Sequence, residues 1–375
     1  MKANTLRIAV GAVLAATVTT VLLPSGADAS EAKSADSKTV KSFGRVADAV
    51  LEERTAALLD NRSTRRIAAP SLRDGNVSVS SGLARSEDSA LSSLRTRKAK
   101  LASLGEAYTG SDTQVSVDRT QVKNGRATVE VTETTTLTYK KVRGDEPTTT
   151  GFKAHHELSF SGNKKGKWEL TAIRPTDGGP RAINEPRTAV AADTGVAPTG
   201  TPADISWPAP SKPKKMTGTG YNYAAMAAYA EKYWRNYNPD YRQFNDAGGD
   251  CTNFISQSLK AGGWKNVPGS YSDYHNWSYG PSGQTDSWVG ANEWAWFTLS
   301  SKRASNLANV YQMDVGDILQ MDFDGDGSKD HSMIVTYRSR MGVPYLTYHS
   351  TNTYRKSVAS IIASNPDAVY YAYRT

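Results

Sequence analysis

The 375-residue sequence predicts an α+β fold in two units. Apolar residues recur at helical spacing before about residue 110, and the period changes to two from Thr113 onwards. A Pro-, Gly- and Ala-rich stretch without any period then precedes a second region, which opens with a helix and closes with alternating strands. We therefore expect helices and antiparallel sheet in both units, with a linker between them.

The N-terminus has the three parts of a secretory signal peptide. Lys2 and Arg7 make a short positive start, residues 8–23 are mostly apolar, and the triplet at 27–29 matches an A-x-A cleavage site. The apolar run is short for a membrane span and ends in small residues. We therefore predict a signal peptide over residues 1–29, no stable membrane insertion, and a mature protein that is secreted and associates with the cell wall.

Composition limits the partners of this chain. The formal net charge of +8 is spread along the sequence, so we expect no nucleic-acid binding and predict an anionic partner such as a bacterial cell wall. Cys251 is the only cysteine, so no intramolecular disulfide can form. We expect a monomer that is stabilised by packed cores, and the single thiol requires an explanation of its own.

The first predicted unit covers residues 40–175. Helical spacing relates the apolar residues between 43 and 58 and, more weakly, those between 91 and 108. Period-two runs follow at residues 115–131, 152–160 and 168–172. Asn124-Gly125 is a typical two-residue hairpin turn. These patterns predict a small α+β unit with an antiparallel meander, whose role the sequence does not indicate.

Residues 176–216 differ in character from both flanking regions. They are rich in Pro, Gly, Ala and Thr and have no hydrophobic period. Such a stretch cannot bury enough apolar surface to offset its conformational entropy, so we predict a flexible linker. The second predicted unit covers residues 217–375 and opens with the helical pattern "YNYAAMAAYAEKYW".

Cys251 lies at the start of a short amphipathic helix in this second unit. Three apolar residues form the buried stripe of the helix: Phe254, Ile255 and Leu259. We expect the Asp250 side chain to cap the helix by accepting a backbone N–H of the first turn. The unpaired N–H groups and the helix dipole at this end favour a thiolate, which a nucleophile requires.

His331 and His349 are predicted to face each other in a hairpin. His331 opens the alternating run "HSMIVTY" and His349 closes "PYLTYHS", with the turn "RSRMGV" between them. If the strands pair about residue 340, the two histidines lie opposite each other, and a two-residue slip keeps both on one face. One imidazole would then accept the proton of Cys251 and the other would orient it.

Motifs in a fixed order resemble those of a known family. The stretches "DCTNFISQSLKAGGW", "DSWVGANEWAWF", "VGDILQMDFDGDGSKDHSMIV" and "YLTYHS" are similar to the "putative amidase" domain of secreted bacterial proteins. That family is related to the NlpC-type and CHAP hydrolases. The resemblance covers residues 217–375 and implies a papain-like fold, in which the cysteine helix packs on an antiparallel sheet. It also implies Cys251 as nucleophile, His331 as base, and His349 or Asn352 as the third catalytic residue.

The loop before His331 is a candidate calcium site. Asp322, Asp324 and Asp326 stand at alternate positions, as at the start of an EF-hand loop, with Gly327 at the sixth. The twelfth position is Met333 rather than a bidentate Glu, so half of the pattern is missing. The alternative is a polar turn leading into the histidine strand, and no other cofactor is predicted.

The sequence thus predicts a secreted, cysteine-dependent amide-bond hydrolase. Its expected substrate is peptidoglycan, cleaved in the stem peptide or at the link between peptide and sugar. A general secreted peptidase or acyl transferase would use the same catalytic residues. A wall-binding protein without turnover is the alternative outside enzymes.

Overall fold

The computed structural model of the protein describes residues 36–60, 72–186 and 200–375. Its helices are α1 (Ser37–Ala56), α2 (Ser81–Ser103), α3 (Tyr223–Tyr233), α4 (Cys251–Ala261), α5 (Asp286–Val289), α6 (Ala291–Ser300) and α7 (Val358–Ser364). Its strands are β1 (Arg73–Asp74), β2 (Val77–Val79), β3 (Tyr108–Lys123), β4 (Arg126–Tyr139), β5 (Thr149–Gly162), β6 (Trp168–Pro175), β7 (Tyr279–Gly280), β8 (Gly283–Gln284), β9 (Ser305–Leu307), β10 (Ile318–Asp322), β11 (His331–Arg338), β12 (Pro344–Tyr348), β13 (Asn352–Ser357) and β14 (Val369–Arg374). The predicted α+β class is confirmed.

The predicted signal peptide at residues 1–29 lies outside the described residues. Within the three described ranges, no helix combines the length and the apolar character that crossing a membrane requires. Export of the chain stays a prediction.

The N-terminal unit packs α1 onto an antiparallel sheet of β3 to β6. The helix begins where the Asp36 carboxylate accepts a backbone N–H of the first turn at 2.7 Å. Its apolar face is buried against the sheet, with 4.1 Å between the ring centroids of Phe43 and Phe160. The predicted hairpin turn joins β3 to β4, because Asn124 and Gly125 adopt the positive φ angles of 51° and 70° that such a turn uses.

The C-terminal unit is an antiparallel sheet with helices on both faces. Its strand order is β13-β12-β11-β10-β14-β9. The apolar stripe of α4 packs on one face, together with Ile334 of β11. The opposite face buries Met333 of the same strand against Ile361 of α7. The cysteine helix therefore packs on an antiparallel sheet as expected, and the papain-like relationship stays a prediction.

One sheet runs through both predicted units. β13 pairs antiparallel with β5 and places Thr353 opposite Phe152, and the Thr150 hydroxyl donates to the Tyr354 carbonyl at 2.9 Å. A buried apolar cluster draws residues from both units, among them Leu58, Leu94, Tyr108, Leu137, Phe152, Tyr345 and Ala363. We call this contact the β5–β13 junction. The sequence patterns did not predict it.

Both ends of the predicted linker pack on the fold. Ile183 is buried and its carbonyl accepts Arg97 Nη1 at 2.6 Å. At the other end, Lys214 Nζ donates to Asp317 Oδ1 at 2.6 Å in a buried ion pair. These ends differ from the extended conformation expected of a linker, because each has a buried polar or apolar partner. Residues 187–199 lie outside the described residues, and the domain boundaries stay a prediction.

A β-bulge changes the register of the hairpin that carries the two candidate histidines. Near the turn, Tyr337 lies opposite Tyr345, a two-residue slip that preserves the predicted faces. The bulge between Val335 and Tyr337 then shifts the register back by one residue, so Ile334 lies opposite Thr347 and the net slip from the predicted register is one residue. An odd shift turns every following side chain to the other face relative to its partner strand. The predicted side-by-side pair of His331 and His349 is therefore wrong.

Candidate active site

Cys251 is the first residue of α4, as predicted. Its side chain is buried, with 6% of the residue exposed, and lines a cavity of about 240 Å³. The glycine pair Gly248-Gly249 and the loop residues Lys329 and Asp330 form other parts of the cavity wall. The structure thus places the single thiol at the open end of a helix and at the edge of a space that admits a small ligand or a short peptide segment.

Asp250 does not cap α4 with its side chain, contrary to the sequence prediction. One carboxylate oxygen accepts the Phe244 backbone N–H at 3.0 Å and Asn253 Nδ2 at 2.9 Å. The other accepts Nδ1 of His349 at 2.7 Å. The predicted cap is wrong because this carboxylate binds a partner 99 residues away. The local sequence around Asp250 does not predict its contact with His349.

The His349 side chain is enclosed by other residues that the structure describes. Its ring lies against Phe254 and Tyr237, with centroid distances of 3.9 and 4.1 Å. Nε2 donates to the Tyr233 carbonyl at 2.8 Å, while Nδ1 is hydrogen-bonded to Asp250 Oδ2 at 2.7 Å. Both ring nitrogens are therefore already engaged by hydrogen-bond partners. His349 is therefore placed to orient the start of α4, and neither of its nitrogens is directed at the Cys251 sulfur.

His331 lies on the opposite face of the sheet from α4. Its neighbour Ser332 points toward α4, since Ser332 Oγ lies 2.9 Å from Thr252 Oγ1, and side chains alternate along a strand. The His331 ring is completely buried and meets Tyr348 edge-on at 5.2 Å. Neither ring nitrogen has a hydrogen-bond partner among the described residues, and burial lowers the pKa of His331 to about 3. The contact expected between His331 and Cys251 is not made in this structure.

The thiol of Cys251 differs from the expected thiolate. Burial raises its pKa above the ordinary value, while hydrogen bonds from the Thr252 side chain and the Ser332 backbone act in the opposite direction. Burial is the largest of these effects, so it outweighs the stabilisation predicted from the helix N-terminus. Its raised pKa therefore favours the neutral thiol of Cys251 over the thiolate at neutral pH.

Asp330 is an ionisable group of the cavity wall to which the sequence analysis assigned no catalytic role. Burial raises its pKa to about 6, and nearby carboxylates act in the same direction. Its Oδ2 also accepts the Phe323 backbone N–H at 2.6 Å. The one sequence feature that could have indicated a role for Asp330 is its position directly before His331.

The acidic loop brings a different set of carboxylates together from the predicted one. Oxygen atoms of Asp322, Asp324 and Asp330 lie within 4.8 Å of one another, whereas the predicted set contained Asp326 in place of Asp330. The two carboxylate oxygens of Asp322 accept the backbone N–H groups of Gly325 and Gly327. These bonds shape the loop as a polar turn, and calcium binding stays a prediction.

Comparisons with known proteins cover the C-terminal unit. Residues 220–373 match the family model described as "Putative amidase domain". Two relatives from Bacillus subtilis (strain 168) also match. "Uncharacterized protein YhbB" is 33% identical over 155 residues, which cover 38% of this chain and 47% of the relative. "Uncharacterized protein YjcM" is 34% identical over 143 residues, which cover 36% of this chain and 32% of the relative.

The chain therefore spans less than half the length of either relative. No solved structure matches it significantly. The matched segment includes Cys251, His331 and His349, and the description of the family model suggests amide hydrolysis. Residues 220–373 of this chain are thus similar to the "Putative amidase domain".

Proposed function

We propose that the protein hydrolyses amide bonds of bacterial peptidoglycan, as an amidase or an endopeptidase, with Cys251 as its nucleophile. The position of Cys251 carries the proposal: a thiol at the first residue of α4, on a cavity wall, inside the segment that matches the amidase domain. Negative charge that develops at a helix N-terminus is stabilised by the unpaired N–H groups there.

In the proposed reaction, the Cys251 sulfur attacks the amide carbonyl carbon, and the backbone N–H of Cys251 donates to the developing oxyanion. The thiol proton passes to a base, the leaving amine takes up a proton, and water then hydrolyses the thioester. Asp330 lies on the same cavity wall, and its pKa of about 6 leaves it ionised at neutral pH. We assign the proton transfer to Asp330 on this basis.

The histidines receive different roles from those that the family resemblance implies. The ring of His331 is buried behind the sheet, so the geometry does not support it as base. His349 orients the start of α4 through Asp250 and is proposed as a positioning residue. Asn352, the alternative third residue, accepts the Tyr237 hydroxyl at 3.2 Å and remains a candidate for the same role.

The proposed substrate rests on charge and on the predicted export of the chain. A formal charge of +8 favours an anionic polymer such as the cell wall, and the N-terminus matches a signal peptide. A general peptidase or acyl transferase would share the Cys251 chemistry. A wall-binding protein would retain the fold without turnover.

Zymography on purified cell wall tests this proposal. Wild type should clear the wall and Cys251→Ala should not, because the nucleophile is absent. Ser258→Ala is the matched control, since it removes a buried hydroxyl of α4 that donates to the Phe254 carbonyl and leaves the cavity unchanged. New amine termini in the digest identify the bond cleaved. Wall binding without new termini in wild type would contradict the proposal and favour the wall-binding protein.

A further inference from the structure

Three side chains behind Cys251 form a continuous hydrogen-bonded series from β10 to α4. Gln320 Nε2 donates to Ser332 Oγ at 3.0 Å. Ser332 Oγ lies 2.9 Å from Thr252 Oγ1, which lies 3.7 Å from the Cys251 sulfur. Gln320, Ser332 and Thr252 are completely buried. Bulk water therefore does not compete for these bonds.

The amide of Gln320 sets the direction of the series. Its Nε2 also donates to the Ala291 carbonyl at 2.8 Å. Exchanging the amide nitrogen and oxygen would place two carbonyl oxygens against each other, so the nitrogen must face Ala291 and Ser332. Gln320 Oε1 has no hydrogen-bond partner among the described residues, so the two donor bonds hold the amide in place.

The orientation of the Gln320 amide leaves the hydrogens of both hydroxyl groups free to be donated toward the sulfur. Each hydroxyl has one hydrogen to donate. Because Ser332 Oγ accepts from Gln320, its own hydrogen is available to Thr252 Oγ1, and the Thr252 hydrogen is then available to the sulfur. The backbone N–H of Ser332 also acts on the sulfur, in the direction that favours the thiolate. A Cys251 thiolate can only accept, so it would take the Thr252 hydrogen, and Thr252 Oγ1 would then accept the hydrogen of Ser332.

We infer that Gln320, Ser332 and Thr252 form a one-directional donor chain that positions the Cys251 sulfur and stabilises its thiolate. The inference rests on the proposed function in one respect, that Cys251 is the nucleophile. Among the described residues, the Cys251 sulfur is hydrogen-bonded to Thr252 and not to a histidine. The donor chain therefore supplies stabilisation that no histidine supplies in this structure. The three residues act on Cys251 rather than on substrate, so they are positioning residues.

The charged residues near Cys251 do not stabilise its thiolate in place of the donor chain. Asp250 precedes Cys251 and its negative charge opposes a thiolate, although His349 pairs with it. Lys329 and Asp330 face the cavity from the loop before β11 and carry opposite charges. The neutral donors of the chain are therefore the groups that favour the thiolate through direct hydrogen bonds.

The test is the pH dependence of iodoacetamide alkylation in the full-length protein, because Cys251 is the only cysteine and the thiolate is the reacting form. Thr252→Val keeps the side-chain shape and removes the donor. We expect the midpoint of alkylation to rise by about one pH unit and the rate at neutral pH to fall about tenfold. Thr252→Ser restores the donor and should return the midpoint to the wild-type value. Ser258→Ala, the buried-hydroxyl control in α4, should leave it unchanged.

Ser332→Ala breaks the chain one bond farther from the sulfur, and serves as the second variant should Thr252→Val fail to fold. Its midpoint should rise in the same direction by a smaller amount. Wild-type midpoints in both Thr252→Val and Ser332→Ala would overturn the inference, and so would a Thr252→Ser midpoint equal to that of Thr252→Val. These readouts do not use turnover. Failure of wall hydrolysis would therefore count against the proposed function alone.

Discussion

Asp250 and His349 are joined by a buried hydrogen bond in which Oδ2 and Nδ1 are 2.7 Å apart, although 99 residues separate them in the sequence. The pair joins the start of α4 to the turn after β12. Nε2 of the same imidazole extends the connection to the end of α3 through the Tyr233 carbonyl. Three elements around Cys251 are thereby held by one side chain.

Asp250→Asn should destabilise the protein by about 1–3 kcal/mol, because an amide cannot replace both oxygens of a completely buried carboxylate that is hydrogen-bonded to Phe244, Asn253 and His349. The free energy of unfolding in urea at neutral pH measures this effect. Asp74→Asn is the control, since it breaks the exposed Arg45–Asp74 pair and should cost less than about 1 kcal/mol. Equal effects of the two substitutions would contradict a stabilising role of the buried Asp250–His349 contact.

His331→Leu should make stability less sensitive to acid. The folded protein keeps His331 neutral down to a pKa of about 3, whereas the unfolded chain binds the proton near the ordinary value of 6.5. Between these values acid favours the unfolded state, so at pH 5 this residue lowers the free energy of unfolding by about 2 kcal/mol in wild type. The substitution should remove that loss, as measured by urea unfolding at pH 8 and pH 5.

The same variant tests the catalytic assignment of His331. If the residue belongs to the core behind the sheet, His331→Leu should retain wall hydrolysis. Complete loss of hydrolysis together with an unchanged unfolding curve at pH 8 would instead indicate that His331 acts as the base.

Asp330→Asn should reduce hydrolysis at every pH and abolish the acid limb of the rate profile. Burial raises the pKa of Asp330 to about 6, so the carboxylate becomes protonated as the pH falls below that value. If Asp330 accepts the thiol proton, the wild-type rate should fall about tenfold for each pH unit below 6. The exposed Asp273→Asn serves as control. A wild-type profile that is flat between pH 5 and 8 would exclude Asp330 as the base.

Limited proteolysis should cut first between residues 176 and 216, and the two fragments should remain together. The shared cluster around Tyr108 and Tyr345 and the β5–β13 junction both cross the cut. Fragments held by a common core elute together in size-exclusion chromatography under native conditions and separate in denaturant. The sequence alone predicts an independently soluble fragment over 217–375, and recovery of such a fragment, folded and alone, would count against the shared core.

Several elements could be predicted because their causes are local. The start of α4 at Cys251 follows from an apolar stripe at helical spacing, and the turn at Asn124-Gly125 from the φ angles that these two residues tolerate. The pattern around Phe43 likewise predicted the buried face of α1. In each case the residues that determine the structure are close together in the chain.

The arrangement of the site could not be predicted, because its causes are not local. One extra residue between Val335 and Tyr337 decides which face His331 occupies, and nothing in the alternating pattern marks the bulge. The partner of Asp250 is equally hidden, since a carboxylate before a helix is more often a cap. Here the Asp250 carboxylate is hydrogen-bonded to the buried imidazole of His349 instead.

The β5–β13 junction has a consequence for the order of folding. Phe152 and Thr353 are about two hundred residues apart in the sequence. The edge of β5 therefore stays unpaired until a strand from near the end of the chain reaches it. Contacts of such high sequence separation form slowly, and an unpaired edge can meanwhile pair with another chain. Refolding should therefore be slow and concentration-sensitive, and the turn that carries His349 should be among the last segments to reach its native place.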